Sequence, residues 1–292
     1  MKRLLPALIL FLSLAWIANA WSHPHIIELA AGEEIAPADL VAELLQTRVI
    51  FLGEVHDHQG HHRMQLEIIR ALHEQGAPLV VGLEMFRHDY QEALDGWVAR
   101  QIEEENFIPI YQRNWSRWRL YRPIFVYARE QNIPLVGLNI SRVITRQVAR
   151  EGFASLSPEQ LAELELEGFA CTIDPAYEEF IRRALGGEAH EGITDFGHFC
   201  QAQLLWDRVM ANQLAKFLQD HPDHQIVVLA GNGHSWRHGI PAQLKSLGRE
   251  VPYRVLLPES AGRIDLTTAT PADADYLWLD FGPEGWLLEP NY

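Results

Sequence analysis

The sequence predicts an α/β fold: a mostly parallel central sheet flanked by helices, with a smaller helical insertion over the carboxyl ends of the strands. Three observations carry that prediction. Residues 48–54, 78–84, 133–139 and 225–234 are runs rich in Val, Ile and Leu with little alternation, as in strands buried on both faces. Helical spacing fills the intervals between them, giving a βαβα pattern. Each run also finishes on a polar residue suited to chemistry, and in parallel sheets ligands sit in the crevice beyond the carboxyl ends of the strands.

The first twenty residues read as a segment outside the fold. Lys2 and Arg3 precede an almost wholly apolar stretch from Leu4 to Ile17, and Ala18-Asn19-Ala20 supplies the small residues of a cleavage site. That is the pattern of a secretory signal peptide, so a periplasmic or secreted location is expected. The stretch falls short of the ~20 apolar residues that span a bilayer. No later segment is long and apolar enough, so no transmembrane span is expected in the mature chain. Cleavage after Ala20 would expose Trp21-Ser22-His23, whose amine, amides and imidazole form a square-planar nitrogen set suited to Cu(II) or Ni(II). Residues 21–292 suit one α/β domain with a helical insertion at about 143–200.

Within that domain, residues 35–45 form a small helix before a strand at 48–52. A histidine-rich turn at 53–62 leads into a helix carrying Met64, Ile68, Ile69 and Leu72, which Gly76 ends. A strand at 79–83, helices near 90–100 and 115–131, and a strand at 135–138 follow. From 144 to about 198 no strong strand appears; acidic helical stretches and turns such as Gly186-Gly187 mark the insertion. A long helix at about 201–220 leads to a strand at 226–230, and residues 253–257 and 276–281 read as further strands.

Composition narrows the partners. With 39 acidic residues against 24 basic ones the formal charge is −15. That balance argues against nucleic acid and anionic membrane surfaces, which are held by clustered Lys and Arg. The two cysteines, Cys171 and Cys200, lack metal-binding spacing and are read as a disulfide or as two buried thiols.

The candidate chemistry begins in Gly53-Glu54-Val55-His56. On an extended strand end Glu54 and His56 point the same way. A carboxylate beside an imidazole can bind a metal or act as a base with its orienting group; solvated loop residues are the alternative. Asp57, His58, His61 and His62 follow, and either of the last two can reach the pocket from the first helical turn. Glu84 ends a buried run, where a lone carboxylate is costly, so it requires a cation, a histidine or water. Asn139 either faces the ligand or closes a strand-to-helix turn. His234 follows Gly231-Asn232-Gly233, a turn that brings backbone close to a ligand. No Gly-Lys-Ser/Thr follows, so it is no phosphate loop.

Gln203 and Asp207 are four apart and share a helix face, where they can frame the pocket or hydrogen-bond a histidine. A plain amphipathic helix with Trp206, Met210 and Leu214 is the other reading. Residues 113–129 hold Arg113, Arg117, Arg119, Arg122 and Arg129 with Trp115, Trp118 and Tyr121 and no acid. Such a patch can grip a flat, anionic ligand by ion pairing and stacking, or the arginine stems can simply cover a packed helix.

Taken in order, Gly53-Glu54-Val55-His56-Asp57, Gly82-Leu83-Glu84-Met85-Phe86, Trp115 with Tyr121-Arg122-Pro123, Asn139, Gln203, Asp207, Gly231-Asn232-Gly233-His234 and Gly239-Ile240-Pro241 resemble the ChaN-like haem-binding uptake proteins of the Tiki and erythromycin-esterase superfamily. The resemblance implies haem as cofactor, a role in haem and iron uptake, and a homodimer enclosing haem. Tyr177, flanked by His190 and His198, then stands as the leading iron ligand, with Arg122, Asn139, Gln203 and Asp207 around the cofactor. Related branches imply an alternative: a metal-dependent hydrolase, peptidase or esterase, with Glu54, His56, Glu84 and His234 as catalytic residues and ligands of a divalent transition metal. Many ChaN-like proteins are lipoproteins, whereas this chain has no lipid-accepting cysteine after its apolar stretch.

Overall fold

The computed structural model describes residues 25–185, 195–260 and 263–279. The signal segment, Trp21-Ser22-His23, Gly186-Gly187, His190 and residues 280–281 of the last expected strand lie outside that range. Eight strands form one sheet: β1 (Ile26–Glu28), β2 (Glu33–Glu34), β3 (Val49–Leu52), β4 (Leu79–Arg87), β5 (Leu135–Asn139), β6 (Gln225–Leu229), β7 (Tyr253–Pro258) and β8 (Tyr276–Trp278). Their order is β2-β1-β8-β7-β3-β6-β4-β5. From β8 to β5 every neighbouring pair is parallel; β1 pairs antiparallel with β8 and β2 at one edge. The fold is thus α/β with a mostly parallel sheet.

The near-continuous apolar runs are explained by cover on both faces. Along β3, Ile50 and Leu52 pack with helices Gln59–Glu74 and Trp118–Gln131, while Val49 and Phe51 point to the opposite face, against helix Phe196–Asp220. The alternation repeats along β6, where Val227 and Leu229 face the first layer and Ile226 and Val228 the second. A third apolar cluster joins helix Arg142–Glu151 to Leu205 and Val209 of the long helix. Among the described residues no helix is long and apolar enough to cross a membrane.

Three differences from the sequence reading shape the site. Helix Glu104–Asn114 was not anticipated, because Pro109 and three acids or amides in its first turn mask its apolar row; Phe107 and Tyr111 nevertheless lie in the core. The long helix starts at Phe196, where the Asp195 side chain accepts a hydrogen bond from the His198 N–H. The third concerns β4, which does not stop at Glu84 but runs on to Arg87. Its ladder with β6 ends at Leu83, and its pairing with β5 shifts between Leu83 and Arg87. A β-carbon on Gly137 would lie 2.6 Å from the Arg87 carbonyl oxygen, so only glycine permits that approach. Glu84 therefore sits at the break in the ladder.

Candidate functional site

The carboxyl ends of β3, β6 and β7 open into a cleft of about 240 Å³. Glu54, His56 and His234 form its polar side, and Ile181, Leu185, Phe199 and Ile264 form an apolar wall.

Glu54, two residues past β3, is buried and saturated with donors. Tyr121 donates its hydroxyl to Oε1, which also contacts Nδ1 of His56 at 2.8 Å. Gln65 donates to Oε2 at 2.9 Å, and His62 Nδ1 lies 3.4 Å from the same oxygen. Burial disfavours the charged carboxylate, but His56 and His62 outweigh it and hold the Glu54 pKa well below its usual value. The His56 ring stands edge-on to Trp115 at 5.1 Å, and its side chain is 42% exposed. Burial alone would depress its pKa; the carboxylates of Glu84, Glu54 and Asp57 instead raise it to about 9. Its neighbour His61 behaves oppositely: burial and the nearby His58 and His62 push it down to about 3. Being neutral, His61 accepts the Val55 N–H through Nδ1 at 2.9 Å.

A second pairing faces the first. His234 Nδ1 lies 2.6 Å from Asp207 Oδ1, and Tyr177 donates its hydroxyl to Oδ2 at 2.7 Å. Burial opposes charge on His234, yet Asp207 and Glu84 prevail and its pKa rises. Tyr177 is placed by its helix start: Asp174 accepts the Tyr177 N–H at 2.8 Å and Pro175 occupies the first turn. Glu84 stands between the pairings. Its Oε2 accepts the Gly231 N–H at 2.7 Å, and its Oε1 lies 3.8 Å from His234 Nε2. A β-carbon on Gly231 would approach His56 Cε1 to 2.9 Å, so glycine lets ring and backbone meet.

The structure thus brings Glu54, His56, Glu84, Asp207 and His234 together, and Gln203 lines the same cleft. Other expected positions serve elsewhere. Asn139 ties elements: Nδ2 donates to the Glu84 carbonyl, while Oδ1 accepts from Trp206 Nε1 and from the Ile140 N–H at 2.7 Å. Arg122 forms a two-pronged ion pair with Glu104, at 2.5 and 2.7 Å, and does not line the cleft. Tyr177, the expected iron ligand, is 2% exposed with its hydroxyl given to Asp207. Cys171 and Cys200 are free thiols raised by burial to about 12 and about 11. Gln65 was missed by the sequence reading, and so was the hydroxyl role of Tyr121. Gln65 lies six residues beyond the start of its helix, on the row that faces β3, and that spacing was its only signal.

As a metal site the arrangement falls short. Among the described residues no group of three or more His, Cys, Asp or Glu could hold a metal ion. The oxygens of Glu54 and Asp207 already receive donors from protein side chains, which accounts for this. The donors suit haem better. Iron accepts a single axial imidazole, and a ligating histidine characteristically gives its other ring nitrogen to a carboxylate. His56 has that form, with Nδ1 on Glu54 and an exposed ring beside an apolar wall.

Comparisons with known proteins agree with the fold. The fold matches that of ChaN of Campylobacter jejuni, described as binding haem cofacially, with a TM-score of 0.68 and 23% identity over 88% of this chain and 96% of that one. The type III effector HopBA1 shares the fold more loosely, with a TM-score of 0.50 and 13% identity over 89% and 97% of the two chains. RETICULATA-RELATED 5, a chloroplastic protein of Arabidopsis thaliana, is 26% identical over 258 residues, which is 81% of this chain. The chain spans about a third (34%) of that curated relative. The fold is of the ChaN α/β type. Residues 40–244 match the family model described as haem-binding uptake, Tiki superfamily, ChaN, and the chain belongs to that family.

Proposed function

We propose that this protein binds haem in the strand-end cleft and takes part in haem and iron uptake, acting in the periplasm or as a secreted protein. One observation carries the reading. A carboxylate-backed, half-exposed imidazole shares one cleft with four apolar side chains, in a chain of the ChaN family. Haem supplies a ferric centre with axial positions for protein donors. His56 can offer its Nε2, after shedding the proton that the neighbouring carboxylates hold on its ring, without giving up its bond to Glu54. Tyr177 can become a ligand only by surrendering its bond to Asp207 and leaving its 2%-exposed site. His56 is therefore the leading ligand and Tyr177 a positioning residue behind His234. A cleft of about 240 Å³ is smaller than the ~300–1,000 Å³ of typical enclosed ligand sites. A porphyrin would thus enter by one edge and leave surface for a second copy of the chain, in keeping with a homodimer.

The test is a hemin titration of the purified protein, followed at the Soret band. Wild type is expected to saturate stoichiometrically. His56→Ala should lose the ligand-dependent band shift, whereas Tyr177→Phe should retain it. Absence of saturation in the wild type would overturn the haem reading; loss in Tyr177→Phe alone would return the ligand role to tyrosine.

The placement of Glu84 between two imidazoles of raised pKa favours a second reading, hydrolysis of an ester or peptide bond. There Glu84 would act as base and the two histidines would stabilise developing negative charge. Turnover of an ester by protein freed of metal with a chelator, abolished in Glu84→Gln, would support it; absence of turnover would remove it.

A further inference from the structure

The sequence assigned the anion grip to the arginines of the 113–129 patch, with Arg122 beside the cofactor, but the Arg122 guanidinium is committed to Glu104 and none of these arginines lines the cleft. The cation that does line the cleft is Arg263, the one Lys or Arg among its described lining residues. Arg263 is exposed, and it has no ion-pair partner among the described residues. Its backbone, by contrast, is fixed. The Arg263 N–H donates to the Ser260 carbonyl at 2.8 Å, and Ser260 and Ile264 exchange both N–H···O bonds, at 2.6 and 2.9 Å. The next side chain, Ile264, is buried at 2% and forms part of the apolar wall. The bridged pair Ser260 and Ile264 therefore sets, directly beside the surface that would take a flat apolar face, a guanidinium with no ion-pair partner among the described residues.

The remaining charges of the cleft are matched among themselves. Glu54 faces His56, and Asp207 faces His234, each at hydrogen-bond distance. Among the described residues, a ligand's anionic group finds no uncommitted carboxylate-binding cation on that side. It finds one at Arg263, in the planar fork geometry that receives a carboxylate through two N–H bonds. We propose that Arg263 is the specificity-determining cation of this cleft, receiving a carboxylate carried on the edge of a flat ligand whose face lies against Ile181, Phe199 and Ile264. This inference rests on the haem reading and assigns the propionate edge to a residue that the aromatic arginine patch does not contain.

The experiment compares hemin with hemin dimethyl ester, in which both propionates are capped, on wild type, Arg263→Ala and Arg263→Lys. For wild type, hemin is expected to bind about two- to fivefold more tightly than the ester, the range for an exposed ion pair. Arg263→Ala should bring the two ligands to equal affinity, and Arg263→Lys should keep part of the preference. Since the readout is a ratio of ligands on one protein, a general loss of folding does not imitate it. A wild type without preference, or a preference that survives in Arg263→Ala, overturns the role of Arg263 while leaving haem binding intact. A wild type that saturates with neither ligand overturns the haem reading itself.

Discussion

Replacing Glu54 with Gln tests the most heavily bonded group of the site. The native carboxylate offers two acceptor oxygens to Tyr121, His56 and Gln65, with His62 3.4 Å away. A glutamine keeps one acceptor and adds two donors. With its amide nitrogen toward Gln65, two donors collide; turned the other way, Tyr121 and His56 both lose their acceptor. Each buried donor left without a partner costs about 1–3 kcal/mol, and breaking a buried charged pair about 3–5 kcal/mol. Taking about 3–5 kcal/mol for the whole change, at about 2–4 °C per kcal/mol for a domain of this size, the melting temperature should fall by about 6–20 °C near neutral pH.

The pH profile supplies an independent sign. Glu54 is held below its ordinary value of 4.5, so its contribution is present above that value and is lost as pH falls through the lower folded value. His56 is raised from 6.5 to about 9, so its contribution is complete below 6.5 and lost as pH rises through about 9. In Glu54→Gln the acid limb should disappear and the alkaline limb should move toward neutral pH, leaving only the Glu84 and Asp57 contribution to His56. Thermal melts followed by far-ultraviolet circular dichroism from about pH 2 to about pH 10 read both effects. A variant melting within about 2 °C of wild type, with an unchanged profile, would refute the assignment of Glu54 as the buried anchor of the site.

Two smaller perturbations separate structure from ligand binding. Arg122→Ala removes a half-exposed ion pair, so it should cost about 1 kcal/mol or less and leave hemin affinity unchanged; a marked loss of affinity would return the anion grip to the aromatic patch. Gly137→Ala drives a β-carbon into the Arg87 carbonyl at 2.6 Å and should destabilise the protein by about 1–3 kcal/mol in urea unfolding; a neutral result would show that β4 yields freely at its ladder break.

The sheet was legible because strands such as β3 and β6 are buried on both faces, which forces uninterrupted apolar sequence. The same logic located Glu54, Glu84 and His234, since polar residues that end buried runs must gather where the strands open. Asp207 was legible as one row with Gln203, though not as the partner that fixes His234. Periodicity cannot distinguish Asn139 facing a ligand from Asn139 clamping Trp206 to the Glu84 backbone, because both need the same residue at the same strand end. The strand β4 overran its expected end for a related reason: Glu84 stops the apolar pattern, whereas hydrogen bonding to β5 continues through the bulge to Arg87. Tyr177 and Arg122 illustrate the other limit. The family resemblance marked both as suitable for a cofactor, and only the fold reveals that Asp207 and Glu104 already hold them.

Helix Phe196–Asp220 is a rod of about 37 Å at 1.5 Å per residue. One stretch of its surface carries Phe199 of the apolar wall, Gln203 at the cleft, Trp206 on Asn139 and Asp207 behind His234. A rod cannot shift one of these without carrying the rest. A ligand that wedges against Phe199 therefore also pulls on the carboxylate that raises the His234 pKa, so occupancy of the wall and the proton affinity of the polar side are coupled through a single lever.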